Sequence, residues 1–146
     1  MNKKETSFSL FTASFKQGFT PANIPMITIH QGDKEFILVL DSGSEYNVIN
    51  KEVLNNIDYT AFENDGSMPT TLSGIGGKQD VSACTIKFKC NGEEYIENFV
   101  VNDFTDSIKM MKTETGIIIH GILGSLFMRK NHIVLDYQNL MAYSKK

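Results

Sequence analysis

The chain is 146 residues long, with 14 Lys and Arg against 17 Asp and Glu, a formal net charge of −3 and 41% hydrophobic residues. That length fits one domain burying about 70% of the surface its unfolded chain exposes, and the apolar fraction excludes a disordered chain. Mild acidity without a Lys/Arg run excludes a nucleic-acid or anionic-membrane footprint, and no apolar stretch reaches the roughly 18 residues of a membrane span.

Taken in chain order, Met1-Asn2-Lys3-Lys4 carries the charge of a signal-peptide start. Residues 5–15, however, are interrupted by Ser and Thr and hold no small-residue cleavage site before Lys16, so a cytoplasmic protein is expected. Residues 25–30 and 35–40 read as two strands around the turn Gln31-Gly32-Asp33-Lys34. The second strand contains the continuous apolar run Phe36-Ile37-Leu38-Val39-Leu40, expected of a strand covered on both faces, and stops at Asp41-Ser42-Gly43-Ser44. Asn50 reads as the N-cap of a short helix over residues 51–55.

Gly74-Ile75-Gly76-Gly77 has the composition of a hairpin tip. Residues 83–89 alternate, Asn91-Gly92 is a strong hairpin signal, and residues 95–101 return. Residues 103–115 are polar with room for a short helix, and Ile117-Ile118-Ile119 reads as a buried strand. A helix over residues 126–130 and strands at 133–135 and 140–143 complete a mostly-β domain, a small closed barrel or sandwich. Cys84 and Cys90 lie close together on one apparent strand and are expected to be free thiols.

Three segments could carry chemistry. Asp41-Ser42-Gly43 ends a buried strand, which delivers a carboxylate to a fixed point beside a hydroxyl and a glycine through which backbone N–H groups can approach it. Taken alone it is also an ordinary turn. Gly121-Ile122-Leu123-Gly124 precedes the helical residues 125–130, a pattern that strand, turn and helix packing also explains. The glycine-rich tip with Lys78 invites a phosphate-loop reading, but Leu72 and Gln79 stand where that motif requires Gly and Ser or Thr. His30, His120 and His132 lack metal-ligand spacing, and Ser125 is not in a Gly-x-Ser-x-Gly elbow, so neither a metal nor serine hydrolase chemistry is expected.

Together and in this order, Ile37-Leu38-Val39-Leu40-Asp41-Ser42-Gly43-Ser44, Gly74-Ile75-Gly76-Gly77 and Ile122-Leu123-Gly124 resemble a retropepsin-like aspartic protease, the single-lobe branch of the pepsin superfamily, with flap glycines of bacterial type. Pro25-Met26-Ile27-Thr28-Ile29 and Ile133-Val134-Leu135-Asp136-Tyr137 are similar to the family's leading strand and its strand after the helix. The resemblance implies a small closed β-barrel with a β-hairpin flap and one or two short helices. It covers residues 21–146 as the protease domain and leaves residues 1–20 as an N-terminal extension without a counterpart.

The resemblance also implies roles. Asp41 is the catalytic acid/base, Ser42 bridges to the opposite subunit, and Gly43 carries a backbone donor to the carboxylates. Ile75, Gly76 and Gly77 form the flap over substrate, and Ile122 and Leu123 line the loop behind Asp41 and the substrate pocket. Such chemistry needs two carboxylates sharing one proton, because like charges about 3 Å apart cannot both ionise. The 146 residues hold one Asp-Ser-Gly; Glu114-Thr115-Gly116, the nearest mimic, lies in a polar segment. A homodimer acting on a peptide or protein substrate is therefore implied, with no cofactor, nucleic acid or membrane. The alternative from another class is a catalytically idle dimer of the same fold that binds peptides or proteins.

Overall fold

A computed structural model describes residues 11–63, 65–74 and 77–145. Strands β2 (Met26–Gln31) and β3 (Lys34–Leu40) form the expected hairpin in register Met26↔Val39 to Gln31↔Lys34. Strands β8 (Ser82–Cys90) and β9 (Glu93–Asn102) form a second one, joined by Asn91 and Gly92 at φ 51° and 87°. Two successive positive φ values define the turn whose twist matches that of paired strands, so Asn-Gly was a reliable signal. Between the hairpins run β4 (Val48–Asn50) and β10 (Gly121–Leu123).

The strand order β2-β3-β10-β4-β9-β8 closes on itself through a β8–β2 pairing at His30↔Lys89, giving a closed six-stranded barrel. A short strand, β5 (Thr60–Ala61), adds to β8, and β6 (Thr71–Gly74) pairs with β7 (Gly77–Asp80) as a separate hairpin. The inward faces follow the period of two: Phe36, Leu38 and Leu40 from β3, and Cys84, Ile86, Phe88 and Cys90 from β8, are all buried. The continuous run in β3 resolves in the same way, with Ile37 and Val39 turned outward and half-covered by other elements.

Residues 11–20, the described part of the extension that has no counterpart in the sequence reading, belong to the same core. β1 (Thr12–Ser14) pairs with β12 (Met141–Ser144), which pairs with β11 (Ile133–Asp136), and α1 (Lys16–Ala22) follows β1. Phe11 and Phe15 are 1% and 0% exposed. Phe11 packs edge-on against Tyr95 of β9 and Phe127 of α3 (Ser125–Lys130), which locks this small sheet to the barrel.

Three local expectations need correction. Ile117-Ile118-Ile119 is not a strand: it links α2 (Thr105–Thr115) to β10 without ladder pairing, and Ile118 is 39% exposed. Lys51–Asn55 is a 3-10 helix, and the Asn50 side chain does not cap it. Asn50 instead reaches forward to residues 104 and 105. The α-helices number three among the described residues, not one or two. None of them is long and apolar enough to cross a membrane.

Cys84 and Cys90 are free thiols on the inward face of β8, where burial pushes both up to about 11. Six residues apart on one strand, their Cα atoms are separated by about 20 Å, which excludes a bridge between them. Both are expected to resist a thiol-specific reagent at neutral pH in the folded protein and to react promptly in denaturant. Rapid native-state labelling of either one would contradict this placement.

Candidate active site

Asp41 takes its position from the end of β3. Strand β10 inserts between β3 and β4, parallel to the first (Leu123↔Leu40) and antiparallel to the second (Ile122↔Val48). The loop joining β3 to β4, residues 41–47, must therefore wrap around the end of β10. Asp41 continues the ladder by one bond, its N–H donating to the Leu123 carbonyl at 3.0 Å. The turn closes with Ser44 N–H donating to the Asp41 carbonyl at 3.1 Å.

The carboxylate is oriented locally. Gly43 N–H donates to Asp41 Oδ1 at 2.9 Å, and a Cβ on Gly43 would lie only 3.2 Å from that oxygen. A side chain there would crowd the acceptor, which would have to shift slightly. Ser42 is exposed, and its hydroxyl has no hydrogen-bond partner among the described residues.

The loop is clamped from beneath by the segment after β10. Ser125 N–H donates to the Ser44 carbonyl at 2.7 Å, and Leu126 N–H to the Glu45 carbonyl at 3.1 Å. Buried Asn47 completes the clamp: its Oδ1 accepts Gly124 N–H at 2.9 Å, and its Nδ2 donates to the Asn98 carbonyl of β9 at 3.1 Å. One amide thus holds the loop, β10 and β9 together. The sequence reading missed Asn47, since a polar residue before an apolar strand gives no sign of burial.

His120 stands just before β10 and fixes that strand to β3. Its Nδ1 accepts Ile37 N–H at 2.9 Å, while the His120 backbone N–H donates to the Ile37 carbonyl at 2.8 Å. Burial holds the ring below the ordinary imidazole value of 6.5. A folded-state value below the unfolded one means stability fully present above pH 6.5 and lost as pH falls through the folded value. The thermal midpoint is expected to drop on acidification below that point, and less steeply in His120→Asn, whose Oδ1 can still accept the Ile37 N–H. Equal pH slopes in the two proteins would contradict the assignment.

On the outer side of β3 and β10, Asp41 and Ser42 rim a cavity of about 460 Å³. Val39 and Ile122 line it from the sheet; Phe104, Ile108 and Met111 come from the α2 region and Tyr137 from the loop after β11. Of the residues expected at the site, Asp41, Ser42 and Ile122 come together there. Leu123 does not, because the strand alternation turns its side chain into the core at 0% exposure, and it serves the site through its carbonyl alone. Gly77 is exposed on the β6–β7 hairpin with φ +99° and does not line the cavity. Ile75 and Gly76 lie outside the described residues. Phe104, Ile108, Met111 and Tyr137 are additions that no local motif could have indicated.

A closed barrel with a carboxylate loop wrapped around an inserted strand is a retropepsin-like fold. Comparison with known proteins agrees at that level: the retroviral EIAV protease, solved in complex with an inhibitor, superposes with a TM-score of 0.51 at 17% identity, covering 75% of this chain and 88% of its own. No protein-family model matches the chain, and no curated protein does.

Proposed function

We propose that this protein is an aspartic endopeptidase whose active site forms between two copies of the chain, each contributing Asp41. The observation that carries the reading is the Asp41-Ser42-Gly43 loop itself. A carboxylate at the open end of a buried strand, with Oδ1 held by Gly43 N–H and its surroundings open to solvent, has the placement of a reacting group rather than a structural one. The retropepsin-like fold supports the reading, as does an apolar cavity at the carboxylate's side.

Two Asp41 carboxylates meeting on a two-fold axis share one proton. The ionised member takes a proton from a water, which attacks the scissile carbonyl carbon. The neutral member gives its proton to the carbonyl oxygen as the tetrahedral intermediate forms. Collapse of that intermediate breaks the C–N bond: the leaving amine takes up a proton from the pair, and one hydroxyl of the intermediate gives its proton back to the pair as it becomes the carbonyl of the carboxyl product. Ser42 hydroxyls bridge the two loops, and the β6–β7 hairpin, which carries Gly77, closes over the peptide and excludes water. Leu123 supports Asp41 from the core.

The test is hydrolysis of an unstructured protein or peptide library between pH 4 and 7, with sedimentation of the same sample. Cleavage by a dimer is expected. A folded dimer inert across that range would overturn the enzymatic reading in favour of a binding module of the same fold.

A further inference from the structure

Three aromatic rings join the N-terminal extension to the rim of the Asp41 cavity. Phe15, Phe19 and Tyr137 form a closed triangle, with ring centroids 5.8, 5.5 and 5.5 Å apart and every pair edge-on. Phe15 is 0% exposed and Phe19 is half-buried, whereas Tyr137 is 53% exposed and borders the cavity together with Asp41 and Ser42. The Tyr137 hydroxyl makes no hydrogen bond among the described residues, so ring packing holds this side chain in place.

The helix that presents the two Phe rings has little helical propensity of its own. α1 is seven residues long and contains both Gly18 and Pro21, a length and composition that do not make a helix in water. Its contacts make it one. Gly18 is buried, and a Cβ there would lie 2.6 Å from Met26 Cβ, so α1 lies against β2 at a distance that only glycine allows. Phe15 N–H donates to the Leu140 carbonyl at 2.9 Å, at the far end of the loop that begins with Tyr137. Inside that loop Asp136 Oδ1 accepts the N–H groups of Gln138 and Asn139, both at 3.0 Å. The loop is therefore gripped at both ends, by rings at Tyr137 and by backbone at Leu140.

The other end of α1 reaches the same cavity. The helix stops at Asn23, φ 56°, and Asn23, Ile24 and Pro25 run along the cavity wall. The Pro25 carbonyl accepts Leu40 N–H at 2.8 Å, one residue before Asp41. A role in the core alone would not require this arrangement. Phe11, equally buried in the same extension, packs against Tyr95 and Phe127 and does not border the cavity. We infer that the extension is a component of the catalytic half-site, with Phe15 and Phe19 as positioning residues that act through Tyr137 to hold the cavity rim at Asp41. The inference rests on the proteolytic reading for its effect on cleavage, and on geometry alone for the place of Tyr137.

The experiment compares Phe19→Leu and Tyr137→Leu, which remove a ring but keep apolar bulk, with Phe19→Tyr and Tyr137→Phe, which keep the ring. Phe11→Leu serves as the control for loss of a core ring. One cleaved peptide is followed with each protein, and kcat and KM are taken per folded molecule. Loss of an edge-on ring pair is expected to raise KM about three- to tenfold in Phe19→Leu and in Tyr137→Leu, with kcat within about twofold of native. The double variant is expected to match the single ones, because both changes break one contact. Phe19→Tyr and Tyr137→Phe keep the native KM. Phe11→Leu lowers the thermal midpoint and also keeps the native KM.

Backbone amide resonances of Asp41, Ser42 and Ile122 are recorded in the same proteins, a readout that needs no cleavage. They are expected to shift in Phe19→Leu and Tyr137→Leu, to return toward native in the variants that keep the ring, and to stay native in Phe11→Leu. That pattern in a protein that cleaves no peptide would remove the proteolytic reading and keep the inference. A KM that responds to Phe19→Leu no more than to Phe11→Leu would overturn the inference and leave the proteolytic reading intact. In a protein without cleavage, resonances that respond equally to those two changes would overturn it as well.

Discussion

Asp41→Asn is expected to lower kcat/KM for peptide hydrolysis by about 10²–10⁴-fold, the range that a positioned general acid or base supplies. Asn has nearly the shape of Asp and keeps an Oδ1 that can accept Gly43 N–H, which is the hydrogen bond given to the Asp41 side chain. The backbone bonds of residue 41, to Leu123 and from Ser44, do not involve the side chain. Folding and association should therefore survive, so that circular dichroism and sedimentation match the native protein while initial rates collapse. What is lost is specific: an amide can neither take a proton from water nor hold one for the carbonyl oxygen. Retained hydrolysis in the folded variant would place the chemistry elsewhere.

Gly124→Ala is expected to destabilise the fold by about 3 kcal/mol or more, at the upper end of what overpacking costs. A Cβ at that position would lie 2.5 Å from the Tyr46 carbonyl oxygen and 2.6 Å from that of Ser44. Both obstacles are backbone, so no rotamer change relieves them. The loop that would have to yield is the one that carries Asp41, and it is pinned by Ser125 N–H on the Ser44 carbonyl and by Asn47 on Gly124 N–H. Activity per folded molecule is therefore expected to fall along with the urea midpoint. A variant with native stability and native rate would show that the clamp is not tight.

The contrast between these two positions shows what could be read from the residues alone. Asp41 was legible because it interrupts a continuous apolar run with a turn sequence, and the order of three short motifs then set the fold. Gly124 was legible as part of a motif, but its reason, two carbonyls standing where a Cβ would go, belongs to the crossing of distant segments. Phe11 and Phe15 were opaque for a related reason. Their partners, Tyr95, Phe127 and Tyr137, lie far along the chain, and β1 has its pairing strand at the opposite end of the sequence.

Ile117-Ile118-Ile119 misled in the other direction. Three β-branched residues have high strand propensity, but they pair with no strand, and they serve to carry the chain from α2 to His120. The cavity wall was hidden because α2 has a polar composition and an apolar face only three residues deep. Such a face identifies itself only once the barrel shows what stands opposite it.

The central claim is that each active site needs Asp41 from both chains, and mixing native and Asp41→Asn protein under conditions of subunit exchange tests it most directly. With random pairing, activity should follow the square of the native fraction, so an equal mixture retains about a quarter of the native rate. A linear dependence, with half the rate retained at that mixture, would mean that one Asp41 suffices and would contradict the shared pair.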